Sequence, residues 1–182
     1  EGRKFADPHL DFDGGNHNEA NRGKKVPGGY KLSKIKIIFQ EGLGICGWQL
    51  YWVGDKVGSL TSERRGKWLG AGSITHDFVI PPDDFMVGLD FTYEGAAIVA
   101  MRVHLHFAGV SPWAGRAKSM SALTVHLNVN MAERQSFEDD YEPVDDDEVR
   151  NPSLLRNYVV GLSGIDVPMR TTNIGLVVRK VN

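Results

Sequence analysis

The sequence contains one cysteine, no apolar run that approaches the roughly 20 residues needed to span a bilayer, and a formal charge of only −2 over 182 residues. Each shortage removes a class of explanation. A single cysteine excludes an intramolecular disulfide framework, so stability must come from packing, and the compartment is left open. Cys46, set between Ile45 and Gly47, reads as a buried, inert residue rather than a reactive thiol. The missing apolar run argues against a membrane-spanning helix, and the near-neutral charge gives no global case for nucleic acid. Also missing are a nucleophile elbow, a phosphate loop and a dinucleotide fingerprint, so nothing argues for an enzyme or for a cofactor. The chain opens at Glu1 without a basic, apolar signal segment. The expectation is a removed leader or a trimmed chain, with a secreted or organellar-lumen location in the first case.

What is abundant is turn chemistry: 21 Gly and 8 Pro scattered among short apolar runs, the composition of strands and turns rather than long helices. Residues 1–29 hold several glycines and little apolar periodicity, and are expected to be an irregular arm. Strands should begin near Tyr30, turn at Gly42-Leu43-Gly44, and return over Ile45 to Val53 with Trp48, Leu50 and Trp52 on one face. A long Gly-rich connection, 54–72, leads to a strand from His76 to Ile80, stopped by Pro81-Pro82. A second hairpin is expected over Phe85–Tyr93 and Ile98–Phe107, a turn at Ser111–Gly115, and an alternating strand over Leu123–Val129. The last hairpin is placed at Tyr158–Leu162 and Ile174–Val181, around a polar loop. Eight to ten strands and a plan repeated three times predict an all-β domain over 30–182 with pseudo-threefold symmetry, closed so that few edges are exposed.

Charge is uneven along this frame. Eight acidic residues fall between Glu138 and Glu148 with no base among them, so the rest of the chain is net positive. The segment 137–152 is expected to be a solvated acidic loop. Arg64, Arg65 and Lys67 cluster beside Trp68, a combination suited to an acidic protein surface, a phosphate or a sulfated glycan through bidentate contacts and stacking. The ordinary alternative is a charged surface loop with Trp68 packed beneath it.

Several short segments resemble the jacalin-like lectins. They are the Ile-x-Ile strand followed by Ile45-Cys46-Gly47-Trp48-Gln49-Leu50-Tyr51, the Gly-rich Arg65–Gly70 loop, the Phe78–Leu89 step through Pro81-Pro82-Asp83-Asp84, and the closing Val159–Gly164 and Ile174–Val177 runs. The resemblance implies a single β-prism of three Greek-key sheets and a non-catalytic, carbohydrate-binding role, with a glycan or glycoprotein as partner and oligomers plausible. It also implies a sugar site at one end of the prism, built from an N-terminal Gly-rich loop and the closing hairpin. Gly14 and Gly15 match the N-terminal glycines, with Asp13 close by. In the closing hairpin the implied site includes Gly164, Asp166, Thr172 and Asn173. The family's hydroxyl-accepting Asp falls on Thr172, so Asp166 or Asn173 would have to substitute. An ionised carboxylate suits the task because paired sugar hydroxyls can both donate to one acceptor-only group, and Trp113 is a candidate for stacking. The departure at Thr172 and the oppositely charged loops leave open an alternative: a prism that has lost sugar binding and contacts other protein subunits through its charged loops.

Two constellations point to metals. His104, His106 and His126 lie on probable strands, and three converging imidazoles can bind zinc with an open position; half-exposed strand positions are the simpler account, and no metal is expected. Asp11, Asp13, Asn16, Asn18 and Glu19 offer oxygen ligands, but not at EF-hand spacing.

Overall fold

The computed structural model describes residues 3–4, 30–54, 58–61, 65–66, 72–116, 123–129, 155–167 and 170–180. The architecture is all-β, three antiparallel sheets around a shared core. In the first sheet, β2 (Tyr30–Gln40) and β3 (Gly44–Gly54) form a long hairpin. The short β4 (Ser59–Thr61) and β5 (Arg65–Gly66) pair with β3, and β6 (Ser73–Val79) lies on the far side of β2.

The second sheet repeats the plan. β7 (Met86–Glu94) and β8 (Ala97–Leu105) are its central hairpin. The two-residue β9 (Gly109–Val110) and β10 (Ala114–Gly115) lie beside β8, and β11 (Leu123–Asn128) lies beside β7. The third sheet is the hairpin of β12 (Asn157–Val167) and β13 (Arg170–Lys180), with β1 (Arg3–Lys4) against β12. Part of the segment expected to be an irregular arm is therefore a strand, joined to the last sheet. The rest of residues 1–29 and the acidic segment 137–152 lie outside the described residues.

Alternation decides which faces meet. In the first sheet Ile35, Ile37, Trp48, Leu50, Trp52 and Phe78 point inward and are buried, as the period-2 pattern requires. In the second, Leu89, Phe91, Met101 and Val103 do the same, and Val159, Leu162 and Ile174 come from the third. A small apolar pocket lined by Ile37, Ile45, Trp48, Met101, Leu162 and Ile174 marks the place where the three sheets converge. Trp52 Nε1 donates to Val160 O at 2.7 Å, a buried hydrogen bond from the first sheet to the third. Gly44 (φ 79°) permits another close approach: a Cβ there would stand 2.3 Å from the carbonyl oxygen of Ile98, so a side chain would force the first two sheets apart.

The corner between the first and second sheets is built on a carboxylate. Asp84 is buried, and its Oδ1 accepts from the backbone N–H groups of Phe85 (2.8 Å) and Phe107 (2.9 Å), while Oδ2 accepts from that of Ala108 (2.9 Å). Lys31 of β2 donates its ammonium to the carbonyl oxygens of Pro81 (3.0 Å), Pro82 (2.6 Å) and Asp84, and lies 4.5 Å from the centre of the Phe85 ring. The Pro81 carbonyl also accepts from the Asp84 backbone N–H at 3.0 Å, a turn that brings these carbonyls together at the lysine. The Phe85 ring also meets Tyr158 of the third sheet at 5.5 Å.

Cys46 is 1% exposed, its Sγ–H directed at Ile38 O at 3.5 Å. A thiol placed there should not react with a soluble disulfide reagent in native buffer and should react fully in denaturant. Prompt labelling of the native protein would show that the first sheet opens locally.

Candidate functional site

The closing hairpin differs from expectation in one respect. Pairing does not stop at Leu162 and resume at Ile174; it continues through Ser163↔Gly175, Gly164↔Ile174, Ile165↔Asn173, Asp166↔Thr171 and Val167↔Arg170, with a register shift between Ile165 and Asp166. A polar, Gly-rich segment reads as loop because its residues have low strand propensity. Backbone pairing overrides that preference once the apolar ends of both strands are anchored in the core. Gly164, Asp166, Thr172 and Asn173 therefore sit on paired strands at the turn end of the hairpin. The shift leaves Thr172 without an opposite residue in the ladder, as a bulge does. On the other edge of β12, Arg3 pairs with Asp166 and Lys4 with Ile165, so the start of the chain lies next to this end. Gly14, Gly15 and Asp13 lie outside the described residues, as do Asp11, Asn16, Asn18 and Glu19.

Of the basic cluster, Arg65 is in β5, where it pairs with Trp48 at the edge of the first sheet. Arg64, Lys67 and Trp68 lie outside the described residues. The outer face of that sheet has its own cations: Lys34 and Lys36 place their ammonium groups 4.2 Å and 6.0 Å from the centre of the Tyr51 ring.

The three imidazoles that could in principle hold zinc do not converge. His104 and His126 do come onto one face, but they meet a carboxylate between them, while the His106 ring stacks edge-on against Phe107 at 4.5 Å. Among the described residues no group of three or more His, Cys, Asp or Glu side chains could hold a metal ion. What forms instead was not anticipated: a polar cluster on the outer face of the second sheet. The register places Asp90 of β7 opposite Arg102 of β8 on one side and His126 of β11 on the other. Arg102 Nε donates to Asp90 Oδ2 at 2.7 Å and His126 Nδ1 lies 2.7 Å from Oδ1. His104 Nε2 is also 2.7 Å from Oδ2, off hydrogen-bond alignment.

Gly88 makes this possible. It stands opposite His104, and a Cβ at Gly88 would lie 2.8 Å from Leu127 O and 3.3 Å from the His104 Cβ. Asp90 itself is 1% exposed. Burial pushes its carboxyl pKa up, but the contacts to His104, Arg102 and His126 outweigh that and hold it below the ordinary carboxylate value. The Arg102 guanidinium also lies 4.5 Å from the Trp113 ring centre. A strand that alternates Leu89-Asp90-Phe91 signals an outward carboxylate, but its partners are set by register, which the sequence does not state.

No family model matches the chain, and no curated protein matches it. Solved structures do. A galactose-specific lectin from Artocarpus hirsuta in complex with methyl-α-D-galactose superposes with a TM-score of 0.54 at 7% identity, over 81% of this chain and 91% of that one. A mannose-binding lectin from Champedak gives 0.54 at 9% identity over 100% and 98%, and a prostate-specific WGA16 glycoprotein lectin gives 0.51 at 15% identity over 82% of each. The chain has the jacalin-like β-prism fold.

Proposed function

We propose that this prism is a non-catalytic, carbohydrate-binding domain that takes a glycan at the turn end of the β12–β13 hairpin, with Gly14, Gly15, Gly164, Asp166, Thr172 and Asn173 as its residues. The observation that carries the reading is the fold, shared with lectins that include a galactose-specific one in complex with a galactoside. The ladder supports it by setting Asp166 and Asn173 at the same end of the same hairpin. A carboxylate there can accept from two neighbouring hydroxyls, and an amide can both donate and accept. Affinity in such a site would come from a few hydrogen bonds and shape, and copies of the domain would add avidity.

The test is a glycan array with the purified domain, with Asp166→Ala and Thr172→Asp beside it. Binding by the wild type that disappears in Asp166→Ala is the expected result. An array without a signal from the wild type overturns the reading.

A second reading, an assembly subunit that has lost sugar binding, is favoured by the threonine at position 172 and by the separation of charge between Glu138–Glu148 and the Arg64, Arg65, Lys67 and Trp68 cluster. Replacing Arg64, Arg65 and Lys67 by Glu should then release a partner at low salt. Unchanged co-purification would count against it.

A further inference from the structure

The cluster around Asp90 lies on a sheet face, on a different sheet from the β12–β13 hairpin, and its outward edge is unused among the described residues. Arg102 commits only its Nε to Asp90; among the described residues its two Nη nitrogens have no partner. The His126 side chain is 65% exposed, with its Nδ1 turned to Asp90 and its Nε2 without a partner among the described residues. Beside them Trp113 is 39% exposed while the Arg102 guanidinium lies against its ring. Phe107 and Val110, at the turn into β9 and in β9 itself, are exposed as well. An aromatic face, a guanidinium fork with free N–H groups and an imidazole edge thus share one surface. Guanidinium forks match the two oxygens of a carboxylate or sulfate, and aromatic faces cover the apolar face of a sugar ring.

We propose that this face is a second ligand site, for the anionic group of an acidic saccharide, gripped by Arg102 and His126 with the sugar ring against Trp113. The proposal takes the saccharide nature of the ligand from the reading above, but not the hairpin-end site. Facing one another are Asp90 on β7, Arg102 and His104 on β8 and His126 on β11; the sheet's other ion pair among the described residues is Arg116 with Glu94. With the one carboxylate held inside the cluster, the outward nitrogens of Arg102 and His126 are left to an incoming anion.

The experiment is a calorimetric titration of the full chain with trigalacturonic acid, its methyl ester and a sulfated disaccharide. The ester keeps the rings and removes the charge. The expected result is binding of an acidic probe and not of the ester. It should be lost in Arg102→Gln and weakened in both Trp113→Ala and His126→Ala, with Asp166→Ala behaving as wild type. Because Arg102→Gln removes a partner of a buried carboxylate and can unfold the sheet, the exposed Trp113 and His126 variants carry the decision. Equal affinity for acid and ester, indifference to both exposed variants, or no binding of any acidic probe overturns the proposal. Neutral glycan binding lost in Asp166→Ala while acidic binding persists would separate the two sites.

Discussion

Replacing Asp84 by alanine should lower the free energy of unfolding by about 2–4 kcal/mol, because it strands three part-buried backbone N–H groups, each worth about 1–3 kcal/mol when fully shielded and less where water reaches it. The carboxylate joins Phe85, where β7 begins, to Phe107 and Ala108, beyond the end of β8. Asparagine keeps one acceptor oxygen and should cost less. Burial pushes the Asp84 pKa up, but the donors from Phe107, Ala108 and Phe85, together with the charge of His106, leave it depressed overall. A depressed folded value means the unfolded chain takes up protons first. The stabilisation is therefore complete above the unfolded carboxyl range near 4 and is lost as pH falls through the folded value. Urea unfolding of wild type and Asp84→Ala at neutral pH should show the full gap, and at strongly acid pH the two curves should converge. A gap below about 1 kcal/mol at neutral pH would mean that the corner does not depend on this carboxylate.

Trp52→Ala should be comparably damaging, at about 3–5 kcal/mol. The ring is fully buried in the first sheet, and its Nε1–H is given to Val160 of the third, so truncation opens a cavity and leaves a buried carbonyl without its donor. Trp52→Phe separates the terms: most of the volume remains, and the loss should fall to about 1–3 kcal/mol, the cost of an unsatisfied buried acceptor. Equal losses in the two variants would assign the whole effect to the hydrogen bond. Losses under about 1 kcal/mol in both would show that the third sheet does not lean on this residue.

The hairpins with strong alternation were readable in advance. Ile35 and Ile37 facing Leu50 and Trp48, with Gly42 and Gly44 at positive φ between the strands, follow from period 2 and from turn chemistry. Less readable were strands made of residues that dislike strands. Ser163 to Val167 and, across from them, Arg170, Thr171 and Asn173 pair although their composition signals a loop, because the ladder belongs to two segments jointly. The two-residue strands β5, β9 and β10 leave no periodic trace at all. The Asp90 cluster shows the same limit for function. His104, His106 and His126 were visible as imidazoles on strands, but the register inserts Asp90 between His104 and His126 and Gly88 makes room, and neither fact belongs to any single segment.

The pairing of β1 with β12 sets a timetable. Arg3 and Lys4 are made about 160 residues before Asp166 and Ile165, their partners. At about 5–20 residues per second, the third sheet has nothing to assemble from for about 8–30 s after synthesis of β1, while the β2–β3 and β7–β8 hairpins can already close. During that interval the inward faces of the first two sheets, with Trp52 and Ile37 among them, have no third wall. That surface is closed only when the last strands emerge.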